Sequence, residues 1–356
     1  MIDFNLLKNA DASLETVQVN SEIAECWTTI SDFKRPLSNS LMFIKNKYFL
    51  EEWFLLSSST DKLEKIHLVI DKKFYASLAE DARSKIFRQE VQMISTVESV
   101  DMAISYFSKV VHELTPTKND FVDGRIMMTV DIHPNATIAQ NVFLGEGVSI
   151  ASGVKIHSGV VIHSGVKIDE EVEIFPNVVV YKNVKIGART RIHAGSVIGS
   201  DGFGYNHHRG IHHKVYHFGS VEIGADVEIG SNVSVDQGTF SPTIIGDGTK
   251  IDNLVQVGHN VRVGKGVLLC GNVALAGSSE LGDYVVVGGH SAVSNGIKVG
   301  SATQVAAMSG VTHHVEAKQV VGGFPARDIK EWMRSMATLR KLALKNTSGK
   351  KEENEN

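Results

Sequence analysis

Cysteine is scarce in this chain, with only Cys26 and Cys270 among 356 residues. Two cysteines so far apart build no disulfide framework, and both read as small buried apolar side chains in a reducing compartment. Positive charge is not in surplus either: the net charge is −4 and no long basic stripe occurs. That excludes the electrostatic footprint with which proteins hold nucleic acid phosphates. No apolar run approaches the roughly 20 residues that cross a bilayer. The opening MIDFNLLKNADASLETVQVN has early acids and neither a basic start nor an unbroken apolar stretch. It is therefore expected not to be a secretion signal, and the cytoplasm is the expected location. Proline is rare at 6 residues against 32 glycines, and the glycines concentrate after residue 144. With 42% hydrophobic and 21% charged residues, the rest of the composition is that of a soluble protein with more than one structural unit.

The glycine asymmetry points to a repeat. Steps of six from Ile132 through Ile198 meet an aliphatic residue every time, as do Ile223, Ile229 and Val235, and then Ile245 through Val311. The residue four places after each aliphatic is usually Val, Thr, Ser or Ala, and the residue directly after it is often Gly, Ala, Asp or His. A period of six fits neither an amphipathic helix nor a simple meander. It fits a short strand and a tight corner, three of which close a triangular coil of 18 residues. The aliphatic points inward, and the glycine that follows is expected to allow the turn. About nine coils stack at roughly 4.8 Å, with each backbone group bonded to the coils above and below. The phase breaks at 200–219, SDGFGYNHHRGIHHKVYHFG, and at 240–244. Loops ejected from a solenoid are where sites tend to lie.

Before the repeat, LMFI and IHLVI read as strands and KFYASLAEDARSKIFRQEVQMIS as helix, which makes residues 1–115 a small α/β domain. Residues 116–322 form the solenoid. Over 323–345, Ile329, Trp332, Met333, Met336, Leu339 and Leu342 recur at helical spacing beside several basic residues, which marks an amphipathic C-terminal helix. The polar stretch 346–356 is expected to be a disordered tail. The chain is thus mainly β.

Two residues after an inward aliphatic, a side chain points outward, and His259 holds that place after Val257. One coil further on, the equivalent place is Gly277. A histidine beside a bare backbone N–H offers a general base and an oxyanion donor, the two groups that acyl transfer to an amine requires. The bland alternative is surface decoration. The excursion carries His207, His208, His212, His213 and His217, with His208 and His212 four apart. It lacks a cysteine or carboxylate partner set, so a solvated loop is expected there and no metal ligands are assigned.

These residues together resemble the UDP-3-O-(3-hydroxyacyl)glucosamine N-acyltransferases of lipid A synthesis. The resemblance rests on IGSDGFGY at 198–205, TIIGDGTKIDNLVQVGHNV at 243–261, LAGSSELGDYVVVGG at 275–289 and GFPARDIKEWMR at 323–334. It is strongest from about 195 to 340 and extends more loosely over the N-terminal domain. It implies a left-handed parallel β-helix, a homotrimer with active sites in the grooves between prisms, acyl carrier protein as acyl donor, and the 2-amino group of UDP-3-O-acylglucosamine as acceptor. No cofactor is implied. His259 matches the general base, Gly277 the oxyanion donor, and Asp252, Gln256 and Asn260 positions around the sugar and its base. LMFIKNKY resembles a uridine pocket in which Phe43 and Tyr48 sandwich the base and Asn46 hydrogen-bonds to it; core packing is the alternative. The basic helix suits an acidic carrier protein, or else trimer packing.

Two departures stand out. Gly296 occupies the place of a second histidine found in many members, with His290 a few residues earlier, so single-base chemistry is expected. A one-residue deletion before Tyr48 blurs which ring stacks. Other readings remain open: a transferase of the same architecture using acetyl-CoA, the O-acyltransferase of the first lipid A step, a zinc carbonic anhydrase, or a structural solenoid. The O-acyltransferase begins directly with the solenoid, which FIKNKY and its domain argue against. Acyl chain length is not legible in the residues.

Overall fold

The structure is a computed structural model. It describes all residues except 20–25, 57–62, 89, 116–128, 325 and 353–356, and only the backbone over 343–352. The expected boundary at 115/116 falls beside undescribed residues, whereas the stretch 346–352, expected to be disordered, continues the C-terminal helix.

From Asp131–Ile132 onward the chain winds as a parallel β-solenoid whose three faces are sheets of nine, nine and ten strands. Partners are one coil apart, as in Val257 opposite Leu275 and Ile150 opposite Ile168. All the aliphatics counted in steps of six lie in these strands, and Val320–Val321 adds one more. They bury in a single core with the valines four places on, such as Val148, Val154 and Val255. Short strands of two residues suffice because each backbone amide bonds the next coil, for example Gly258 N to Leu275 O at 2.8 Å.

The corner differs from expectation in one respect. The turn falls three residues after the aliphatic, where φ is positive, as at Gly147, Asn177 and Asn260. The residue directly after the aliphatic is instead where coils touch: a Cβ on Gly187 would stand 2.5 Å from the Gly224 carbonyl carbon. Glycine is there for closeness, and the left-handed corner accepts Gly or Asn.

The N-terminal domain has a five-stranded sheet in the order Glu15–Val19, Val91–Val97, Ile66–Asp71, Ser40–Ile44, Thr29–Ile30. LMFI and IHLVI are strands as expected. The helical reading of 73–95 holds only in part: helices Lys72–Ser77 and Glu80–Ile86 are followed by the strand Val91–Val97, buried at every residue. A strand covered on both sides has no alternation to distinguish it from helix.

Both phase breaks bind this domain to the solenoid. Phe218 and Phe240 stack at 6.3 Å and pack against the cluster containing Trp27, Phe43 and Phe107. Asn206 Nδ2 donates to the Asp101 carbonyl at 2.6 Å, and Tyr216 N to Ser108 Oγ at 3.2 Å, on helix Val100–Leu114. On a second face, Arg35 Nη1 meets Glu222 at 3.0 Å and Lys34 pairs with Glu280. These ion pairs are partly exposed, so they orient the domain more than they stabilise it.

The C-terminal helix spans Ile329–Glu352, and its apolar side chains from Ile329 to Leu342 are exposed. No helix among the described residues is long and apolar enough to cross a membrane. Neither cysteine is buried as expected; Cys26 is half-buried and Cys270 exposed.

Candidate active site

His259 sits at the corner after strand Gln256–Val257, and the stacking argument for its neighbour holds. A Cβ on Gly277 would lie 2.6 Å from His259 Nε2, so the imidazole fills the space a side chain there would take. Among the described residues the Gly277 N–H has no hydrogen-bond acceptor. Its carbonyl accepts from Gly296 N at 3.1 Å and from Asn295 Nδ2 at 2.6 Å, which pins the peptide.

Asn260 sets the imidazole tautomer. Its Oδ1 accepts from Thr239 N at 3.2 Å and from Thr239 Oγ1 at 2.7 Å, while Nδ2 reaches the Ser241 carbonyl at 3.4 Å. The atom 2.9 Å from His259 Nδ1 is therefore an oxygen acceptor, and Nδ1 must carry the proton. That leaves the lone pair on Nε2, beside Gly277.

The excursion folds over this histidine. Its middle is a hairpin, Tyr205–His208 with Ile211–Lys214, and His207, His208 and His212 are exposed as expected of a solvated loop. His217 is not. It is 6% exposed, with its ring 5.2 Å from His259 in an edge-on arrangement. Burial, then the neighbouring His259, pushes its pKa down to about 4. Among the described residues no three His, Cys, Asp or Glu side chains converge as a metal set.

Two carboxylates border the site. Burial raises the pKa of Asp236, which accepts from Gln256 Nε2 at 3.1 Å and Ser200 Oγ at 3.2 Å. Burial acts in the same direction on Asp201, but Lys214 and Gln237 outweigh it and hold that carboxyl low. Gln256 thus belongs to the His259 neighbourhood. Asp252 does not: it follows strand Lys250–Ile251 of the adjoining, ten-stranded face, in a shallow cavity with His193, Leu268 and Cys270. His290 occupies a corner next to the Gly271 carbonyl, away from the Asn260 and Gly296 corners.

The N-terminal residues are arranged differently from a simple sandwich. Phe43 is buried, 6.3 Å from Phe107, and borders a cavity with Phe33, Phe49, Lys45 and Asp101. Tyr48 is 57% exposed. Asn46 Oδ1 caps the helix Lys47–Leu56 through Tyr48 N at 3.0 Å. Because the helix starts there, residues 48 and 49 point about 100° apart, and Phe49 turns inward. The sequence signal for Phe49 was the start of that helix.

Residues 135–170 and 165–200 match the family "Bacterial transferase hexapeptide (six repeats)". The UDP-3-O-acylglucosamine N-acyltransferase of Wolinella succinogenes is 45% identical over 150 residues, covering 42% of this chain and 47% of that one. The chain is similar to the UDP-3-O-acylglucosamine N-acyltransferases. That of Campylobacter lari is 44% identical over 144 residues, covering 40% and 45%. The match spans less than half the length of these curated relatives. Among solved structures, the UDP-N-acetylglucosamine acyltransferase from Campylobacter jejuni covers 53% of this chain and 68% of its own, at 23% identity and a TM-score of 0.40.

Proposed function

We propose that this protein is an N-acyltransferase that moves a 3-hydroxyacyl group from acyl carrier protein to the 2-amino group of UDP-3-O-acylglucosamine in lipid A synthesis. The observation that carries the reading is the junction of His259 Nε2, its lone pair fixed by Asn260, with the bare amide of Gly277. The amine nitrogen attacks the thioester carbonyl carbon while Nε2 takes its proton. The Gly277 N–H donates to the oxyanion that forms. The C–S bond then breaks, and the carrier thiol leaves with the proton from His259.

Asp252, Gln256 and Asn260 lie around the sugar end in this reading, with Asn260 acting through the imidazole. Phe43, Asn46 and Tyr48 belong to the uridine end, where Phe49 joins them. Asp252 and His259 follow strands of two adjoining faces, so a groove between two prisms would take one of them from each subunit of a homotrimer. The protein then works in the cytoplasm, where acyl carrier protein is found.

The test is product analysis by mass spectrometry, with mixed 3-hydroxyacyl carrier-protein thioesters and a UDP-3-O-acylglucosamine acceptor. His259→Ala should lower the rate by roughly 10²–10⁴-fold without changing the oligomer. Retained turnover in that variant would remove the base assignment. Transfer from acetyl-CoA alone would favour the other transferases of this architecture.

A further inference from the structure

A base strong enough to activate an amine also activates water, so a transferase must keep bulk solvent from its base. Beyond His217, on the side away from His259, lies a cavity of about 420 Å³ between the N-terminal domain, the excursion and the solenoid. Its walls include Thr28, Thr29, His112, Lys182, Asn183 and Gln237, which make it polar enough to hold water. His217 is in that wall on one side and edge-on to the His259 ring, 5.2 Å away, on the other.

We propose that His217 is a plug, a positioning residue that separates the catalytic imidazole from this water-holding cavity and so directs the acyl group to the amine instead of to water. The inference rests on His259 acting as the base. Three features support it. His217 is held by a close fit: a Cβ on Gly202 would stand 2.9 Å from its Nε2 and one on Gly204 2.8 Å from its Cε1. Among the described residues neither ring nitrogen of His217 meets a hydrogen-bond partner of good geometry, so packing keeps the ring in place. The groups facing it, His259, Lys214, Asp201 and the Val215 backbone, together with its burial, leave it uncharged at neutral pH, as a plug beside a base that becomes cationic must be.

Without the plug, water adds to the thioester carbonyl carbon as His259 takes its proton. The C–S bond breaks, the thiol leaves with that proton, and a free 3-hydroxy acid forms in place of the amide. The experiment measures amide and free acid together, in the full-length protein, with 3-hydroxyacyl carrier-protein thioesters and the UDP-sugar acceptor. His217→Ala should raise the ratio of hydrolysis to transfer about tenfold, and His217→Phe, which refills the volume, should restore it. Gly204→Ala, whose methyl meets His217 and not His259, should shift the ratio in the same direction and serves if the first variant does not fold. An unchanged ratio in His217→Ala, or in Gly204→Ala when the first does not fold, overturns the plug while the transfer reading stands. Equal leakage in His217→Phe also overturns it. Absence of amide product from the unaltered protein overturns the transfer reading, and this one with it.

Discussion

Residue 277 has no room for a side chain, and the reason is a histidine one coil below. His259 Nε2 stands where the Cβ would be, and its other nitrogen is tied to Asn260. A methyl at 277 would meet the far end of a side chain, so the ring can swing away and the coil need not deform. Gly277→Ala should therefore keep its melting temperature while kcat falls by about 10²-fold, the low end of what displacing a general base costs, since alanine retains the backbone N–H. A variant with normal kcat would show that the close approach is incidental. Other residues were less legible. Phe43 borders a cavity, but Asn46 caps the following helix and Tyr48 faces out because that helix begins one residue before it. His217 reads in the sequence as one more solvated histidine of the loop, since nothing in its neighbours distinguishes a buried imidazole from the exposed His207, His208 and His212.

At the scale of the element, the coil tolerates little change in volume. Val257 is fully buried and pairs with Leu275, and its strand carries Gln256 on the outer side and leads into His259. Val257→Phe adds bulk where the three faces converge, and overpacking of this kind costs roughly 1–3 kcal/mol. Denaturant unfolding should register that loss, whereas an unchanged midpoint would contradict the inward register. The excursion and the break at 240–244 show what interrupts such a repeat. Both supply aromatic side chains, Phe218 and Phe240, to the core of another domain. A segment that must meet two surfaces cannot keep a period set by one.

The whole molecule raises the question of which edges share a substrate. Asp252 and His259 follow strands of adjoining faces, so in the proposed homotrimer a site needing both would take them from neighbouring subunits. Asp252→Ala and His259→Ala should each be inactive alone. Co-assembled in equal amounts, they should recover about a quarter of full activity, because that fraction of grooves draws an intact edge from each type. A mixture that stays inactive although mixed oligomers form would sink the shared groove.

The solenoid was readable from the chain because its order is one-dimensional: an inward aliphatic every sixth residue determines strand, corner and stacking without distant contacts. The pairing of His259 with Gly277 followed from the same arithmetic, being one coil apart. Tertiary structure alone decided what lies across the coils and between the domains. It closed the excursion over His259, buried His217, turned Phe49 inward and set the tautomer through Thr239 and Asn260. Those contacts join residues of unrelated phase, and no period in the sequence encodes them.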